Sequence, residues 1–444
     1  MEVGLELVVG RQRIPVYAWS DRRVPQALQE FALPLNEAHA IVAAVQAGLA
    51  ELDEAKLREK ALVLCRANEE IRLKDYRSRR LQTLFGDVRV RIPRLLARHN
   101  RDYVHLLADD AEASEGSPER ILARLGAWMS YRYAARFLAE LFPLACGCNP
   151  ERVRRATLSE GAAAAMPQRD SDGRSCDHIN LCLDTAFLRS HDRAFGRHHA
   201  VLIGNLRSDN NGQQIIGHVF GSQTDPPKYL TACLKSIGRT DGTQMTCFTD
   251  GDKLLRGLLK ACGIGERPML DWEHIARKLQ NLRIIARGIR PGRRSELTLK
   301  TKIAATLDQV NWRLWHGQLQ PGLKALSQIE RLAWRLRSVK SRVRLSPKVA
   351  SLLNGVGRLR DYINGQSAYI VDYAARHRAG LPIGTSQTES LANSLINKRM
   401  NKSQQMRWSK AGAQAVISLR VAHINEMLRL SPSASISPAP PPVL

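Results

Sequence analysis

The sequence predicts a mixed α/β fold: a mixed sheet flanked by helices, interrupted by an all-helical insertion and preceded by a helical N-terminal region. Three observations predict it. Between residues 178 and 250 the apolar residues fall into short strand-like runs. On both sides of that stretch the apolar spacing is helical. Residues 281–350 read as helix yet carry sixteen Lys/Arg against only Glu296, Asp308 and Glu330, a net of +13.

The bulk numbers set the frame. A chain of 444 residues exceeds one hydrophobic core, so about two to four domains are expected. The net charge of +25 repels itself and points to a polyanionic partner, with nucleic acid first and an anionic membrane second. No stretch approaches the ~20 apolar residues of a membrane span. The start, "MEVGLELVVGRQRIPVYAW", has no long apolar segment and does not read as a signal peptide. A bacterial cytoplasm, with the protein on the nucleoid, is the expected location. The eight cysteines (Cys65, Cys146, Cys148, Cys176, Cys182, Cys233, Cys247 and Cys262) include no C-x-x-C pair and are expected to be reduced.

Taken in order, residues 1–105 are expected to form N-terminal helices plus a basic β-hairpin. Residues 35–80 have near-helical spacing and predict one or two amphipathic helices. "LQTLFGDVRVRIPRL" (81–95) then alternates Val88, Val90 and Ile92 with Arg89, Arg91 and Arg94, with a turn at Gly86-Asp87. That hairpin is either a solvated edge or a contact for DNA backbone. Residues 106–175 predict a helix-turn-helix-like region. "SPERILARLGAW" offers a Ser N-cap with Pro at the first helical position, a second helix starts near Ser130, and "NPERVRRATLSEGAAAA" brings Arg152, Arg154 and Arg155. A plain helical bundle would give the same pattern.

Residues 176–285 hold the first part of the core. "HINLCLDTAFLRS", "RHHAVLIGNLRSD" and "QQIIGHVFGSQT" are three consecutive strands. The helix "PPKYLTACLKSIG", the strand "QMTCFTDGD", the helix "KLLRGLLKACGIG", a short strand "PML" and the helix "DWEHIARKLQNLR" follow. Three strands followed by αβαβα is the order of an RNase H-like fold. Residues 286–380 are the basic helical insertion, with Arg293 and Arg294 near its head and Trp312, Trp315 and Trp334 interleaved. Such a surplus is either a solvated face or a surface that tracks phosphates. Residues 381–430 return as C-terminal helices, and "SPSASISPAPPPVL" (431–444) is a tail expected to be disordered.

Two acids have no packing reason to be where they are. Asp184 follows "INLCL" and Asp250 follows "QMTCFT", each at or just after an apolar strand. A helix returning beside the first strand can supply a third, and Glu389 heads "TESLANSLINKRMNKSQQMRWS" (388–409), which carries Lys398, Arg399, Lys402 and Arg407 further on. An acid at a helix start and cations at its end also suit the helix dipole. Three carboxylates in one place, however, repel one another unless cations neutralise them. Two divalent ions ~3.5–4 Å apart do so in phosphoryl transfer. Hard oxygen ligands suit Mg²⁺ or Mn²⁺.

On these residues the chain resembles bacterial insertion-sequence DDE transposases with an RNase H-like core and a helical insertion, relatives of Mutator-like and hAT-like elements. The resemblance covers roughly residues 80–425 and rests on "TLFGDVRVRIPRL", "SYRYAARFLAELFP", "LDTAF", "FTDGDKLLRGLL", "LDWEHIARKLQ" and "GTSQTESLANSLINKRMNKSQQMRWSKAGAQAVISLR". It implies that Asp184, Asp250 and Glu389 are a catalytic, metal-binding triad, with Asp252 as rival for the second acid. It implies that Asp271 and His274, as D-x-x-H, lie near the scissile phosphate or DNA end; an N-cap Asp with a surface His is the plain alternative. It implies a homodimer or higher multimer acting on double-stranded DNA, which cleaves element ends and transfers the freed 3′-OH into target DNA, and no membrane partner. Some positions depart from the family. Glu273 stands where Phe is usual, no cysteine pair follows the hairpin, and Ile396 occupies a position that is often basic. A catalytically inactive, transposase-derived DNA-binding protein is the alternative, and an RNase H-like nuclease or resolvase would share the acids.

Overall fold

The computed structural model describes residues 3–9, 12–19, 33–97, 99, 102–107, 117–142, 149–167, 175–191, 196–210, 212–264, 268–336, 346–384, 393–401 and 406–430. The chain divides into two compact units, Met1–Gly161 and Ala162–Leu444.

The first unit opens with an antiparallel hairpin, β1 (Val3–Val9) and β2 (Gln12–Trp19), built from the apolar runs on either side of Gly10. The expected helices begin only with α1 (Leu35–Ala67), a single helix of 33 residues. Residues 71–80 are not helical as expected. They belong to β3 (Ile71–Thr83), which pairs with β4 (Gly86–Ala97) from Ile71↔Ala97 to Thr83↔Gly86. Cross-strand pairing with the Val88–Ile92 alternation overrides the local helix preference of "IRLKDYRSRR". Gly86 makes the turn at φ 114°, a left-handed conformation that a side chain disfavours. The strand β5 (Tyr103–Val104) completes a three-stranded sheet. Hairpin cations are partly committed within it: Arg80 pairs with Asp87 and Arg94 with Asp75.

Three helices follow, as the caps predict. Ser117 caps α2 (Pro118–Trp128), Ser130 caps α3 (Tyr131–Leu141), and the Asn149 side chain accepts from Arg152 N at the start of α4 (Pro150–Ala163). A Cβ on Gly126 would lie 2.3 Å from Thr157 Oγ1, so this glycine lets α2 and α4 approach closely.

The second unit is built on a five-stranded sheet. Its strands are β6 (His178–Arg189), β7 (His198–Ser208), β8 (Gln213–Val219), β9 (Gln244–Thr249) and β10 (Met269–Leu270), in the order β10-β9-β6-β7-β8. β6, β7 and β8 are successively antiparallel, while β9 runs parallel to β6 and β10 parallel to β9. This is the mixed, RNase H-like order expected from three strands followed by αβαβα. One face is covered by α5 (Pro226–Ser236) and α6 (Lys253–Ala261), which bury Tyr229, Leu230, Leu255 and Leu259 against Ile179, Leu181 and Leu183. The other face is covered by a π-helical segment (Asn393–Asn401) and a C-terminal helix, through Leu395, Ile396, Val416 and Ile417 on Val201, Ile203 and Val219.

From β10 the chain enters α7 (Trp272–Arg287), and α8 (Arg294–Trp315), α9 (Leu319–Arg335), α10 (Pro347–Gly365) and α11 (Tyr373–Arg378) follow. These helices share a core of their own, to which α7 contributes Ile275, Leu279 and Leu282. α12 (Lys410–Leu430) ends the described chain. The six described cysteines form no disulfide; Cys146, Cys148 and the 431–444 tail lie outside the described residues. Among the described residues no helix is long and apolar enough to cross a membrane.

Candidate active site

Strand register brings the first two acids together. β6 and β9 run parallel with Cys182 opposite Phe248, an offset of 66 residues. The same offset sets Asp184 level with Asp250, just past the end of β9. In turn β10 places Leu270 opposite Thr249, an offset of 21. Asp271 is therefore level with Asp250. Three aspartates sit on one line across three neighbouring parallel strands: Asp184 in the middle of β6, and Asp250 and Asp271 just past the carboxyl ends of β9 and β10.

The side chains have different jobs. One oxygen of Asp184, one of Asp250 and one ring nitrogen of His274 all lie within 4.8 Å of one another. The Asp184 carboxylate accepts from Thr185 N at 2.7 Å, and that of Asp250 from Asp252 N at 2.9 Å. Asp252 instead caps α6, accepting from Leu254 N, so Asp250 and not Asp252 belongs to the cluster. Between them Gly251 adopts φ 91°, and a Cβ there would lie 2.7 Å from the Gln366 side chain. The helical insertion braces this turn: Tyr362 Oη donates to Asp250 O at 2.9 Å and Gln366 Nε2 to Gly251 O at 3.1 Å.

Asp271 is fully buried. It caps α7 by accepting from Glu273 N at 2.9 Å, and its other oxygen lies 2.9 Å from His274 Nδ1. The expectation that Asp271 contacts DNA does not fit this burial: it has no exposed surface, and its second oxygen meets His274 instead. The His274 side chain is 26 % exposed and faces the acids rather than the outer surface. The i,i+3 spacing on one helix face is what joins the two.

Electrostatics follow from this packing. Burial raises the Asp184 pKa; the Thr185 N–H opposes that, the Asp250 charge adds to it, and His274 offsets part. The His274 pKa is raised by its hydrogen bond to Asp271, with burial opposing and the charges of Asp271, Asp184 and Asp250 assisting. Burial and the neighbouring Asp271 charge push the Cys182 thiol, behind the site, up to about 12. Burial and Asp250 likewise raise the Tyr362 phenol.

Glu389 and Lys402 lie outside the described residues. Lys398 and Arg407 are exposed near the π-helical segment. Arg399 is not the DNA-facing cation expected of it. It is 2 % exposed, stacks over Trp408 at 5.1 Å and donates to Met406 Sδ at 3.1 Å. Trp408 is buried in the core, and its indole N–H donates to Met400 O. In α4, Arg152 pairs with Glu119 at 2.8 Å and Arg154 with Glu151 at 2.7 Å, while Arg155 lies 4.0 Å from Glu151. The three α4 arginines are thus partly neutralised within their own unit. Arg293 and Arg294 are exposed at the start of α8.

The D-x-x-H expectation already puts His274 near the scissile phosphate; sequence reasoning missed its bond to a buried Asp271 and the support from Tyr362 and Gln366. The D-x-x-H spacing carried the first signal, since it follows a strand that continues the Asp184–Asp250 line. Tyr362 and Gln366 sit more than 110 residues beyond Asp250, and nothing local marks them. The sequence matches no protein-family model and no curated protein.

Proposed function

We propose that this chain is a DDE-type transposase that cleaves the ends of its own element and joins them to target DNA by metal-dependent phosphoryl transfer. The observation that carries the reading is the convergence of Asp184, in the middle of β6, and Asp250, just past the end of the adjacent β9, in a β10-β9-β6-β7-β8 sheet. Neither acid has a packing role there, and backbone donors orient both before any ligand arrives. The third acid of this reading is Glu389.

The donor set fits a divalent cation, since two carboxylates this close repel each other without one. Mg²⁺ or Mn²⁺, when bound, would draw charge from the attacking and leaving oxygens. The chain's own part is positioning. Thr185 N and Asp252 N hold the carboxylates, and Tyr362 and Gln366 fix the turn that presents Asp250. Lys398, Arg407, Arg293 and Arg294, all exposed, are placed on DNA phosphates in this reading. Water attacks the phosphodiester at the element end in line, and the freed 3′-OH then attacks target DNA, with no covalent enzyme intermediate. The acting species is a dimer or higher multimer on double-stranded DNA.

The test is metal-dependent nicking and strand transfer on duplexes that carry the DNA flanking the gene. Asp184→Asn should lower both by about a thousandfold while DNA binding persists, because only the chemical step needs the carboxylate. Full activity of that variant would refute the assignment.

A further inference from the structure

We propose that His274 is itself a metal ligand of this site, held in place by Asp271, and that it biases the site towards Mn²⁺ over Mg²⁺. The inference rests on reading Asp184 and Asp250 as a cation site.

Asp271 occupies the same level as Asp250 but is sealed off from solvent. Gly384 contributes to the seal: a Cβ there would lie 2.3 Å from Asp271 Oδ1. Burying a carboxylate this completely is costly unless it is hydrogen-bonded to a donor. Asp271 spends one oxygen on the α7 cap and the other on His274 Nδ1. A cap alone needs no buried acid, because Asn or Ser serves equally well at a surface. The second bond fixes the ring and leaves Nε2 as the nitrogen available to a metal. A carboxylate behind a histidine in this way is the usual support for an imidazole ligand, setting its tautomer and orientation.

The three donor atoms are near coordination distance of a shared ion. Donors bound at ~2.0–2.2 Å to one metal sit about 3–4.4 Å apart. Asp184, Asp250 and His274 lie within 4.8 Å of one another, a gap that small side-chain rotations close. Mg²⁺ prefers oxygen ligands and gives up water reluctantly, whereas Mn²⁺ and later transition ions bind an N/O set more readily. A His among two carboxylates therefore shifts preference away from Mg²⁺.

The experiment uses the full chain, stripped with chelator and titrated with Mn²⁺ alone, then with Mg²⁺ in competition. Electron paramagnetic resonance reads bound Mn²⁺, and its pulsed form reads coupling to a directly bound ¹⁴N. Wild type should show imidazole nitrogen coupling that His274→Gln removes, with Mn²⁺ affinity falling about 10–100-fold and Mg²⁺ affinity changing less. Asp271→Asn keeps the α7 cap, so the helix survives, yet it should weaken Mn²⁺ binding and alter the coupling. Mn²⁺ binding that Asp184→Asn abolishes but that shows no ¹⁴N coupling, or coupling that survives His274→Gln, overturns the role of His274 and leaves the carboxylate site standing. Mn²⁺ binding indifferent to Asp184→Asn overturns both.

Discussion

The acids set by the sheet and the basic surfaces are both built from charged residues, yet only the first are fixed by backbone pairing. Asp184, Asp250 and Asp271 are tied to strand register, so one paired residue on each of two ladders fixes all three on a line. The cations have no such anchor. Lys398 and Arg399 are neighbours in sequence, but one is exposed and the other is 2 % exposed beneath Trp408. A charge count cannot separate them, whereas a register can place an aspartate to within a residue.

The sharpest way to break this comparison is to exchange neighbours at the strand end. Asp250→Asn should cost about a thousandfold in DNA cleavage, about 4 kcal/mol of barrier. Asp252→Asn should change cleavage little, because Asn caps α6 as well as Asp does. Cleavage assays with both variants decide it. Equal losses would mean that both acids serve the chemistry and that position beyond β9 is no guide.

The tryptophans of the insertion make the next contrast. Trp315, partly buried, packs against Trp272 at 4.9 Å and Tyr373 at 6.3 Å on the flank of the insertion's core. Trp312 and Trp334 are 55 % and 53 % exposed. Trp315→Ala should destabilise by about 3 kcal/mol, and Trp334→Ala by less than about 0.5 kcal/mol. Denaturant melts measure the difference, and a large loss for Trp334→Ala would show that its face is covered.

A smaller contrast comes from the neighbouring cations. Arg399→Ala should cost about 2 kcal/mol of stability, through lost packing on Trp408 and Met406. Lys398→Ala should leave stability within about 0.5 kcal/mol. On the proposed DNA surface it should instead lower the salt dependence of DNA binding by about one phosphate contact. Stability curves and a salt titration, read together, separate the two roles.

These contrasts also mark what was legible in the sequence. The sheet order was legible because period-two runs and intervening helices leave few ways to connect them. Asp184 and Asp250 stood out as carboxylates where packing wants apolar side chains. The strand at 71–80 was not legible, because "IRLKDYRSRR" has few apolar residues and its conformation depends on a partner strand. The hairpin at 3–19 is not legible for a similar reason: two short apolar runs hold no helix or span signal and gain meaning only when paired. His274 is legible in part. The spacing from Asp271 was plain, but that Asp271 is buried and turns the ring towards the acids depends on Gly384, 113 residues from Asp271.

The finest contrast lies between two histidines of the same unit. His274 gains its partner on folding: Asp271 raises its pKa above the ordinary value of 6.5. The folded metal-free protein therefore holds this proton more tightly than the unfolded chain. The stability it adds is fully present below about pH 6.5 and is lost as pH rises through the raised value. His218 is the reverse case. It is buried and stacked on Tyr229 at 4.7 Å, and burial lowers its pKa despite Thr224 O and Asp225. The unfolded chain binds that proton more readily, so stability is present above pH 6.5 and lost as pH falls through the lowered value. In chelator, His274→Gln should flatten the decline of stability on the alkaline side of neutrality, and a His218 substitution should flatten the decline on the acid side. If His274→Gln instead alters only the acid side, its ring is not charged by Asp271 in the folded state.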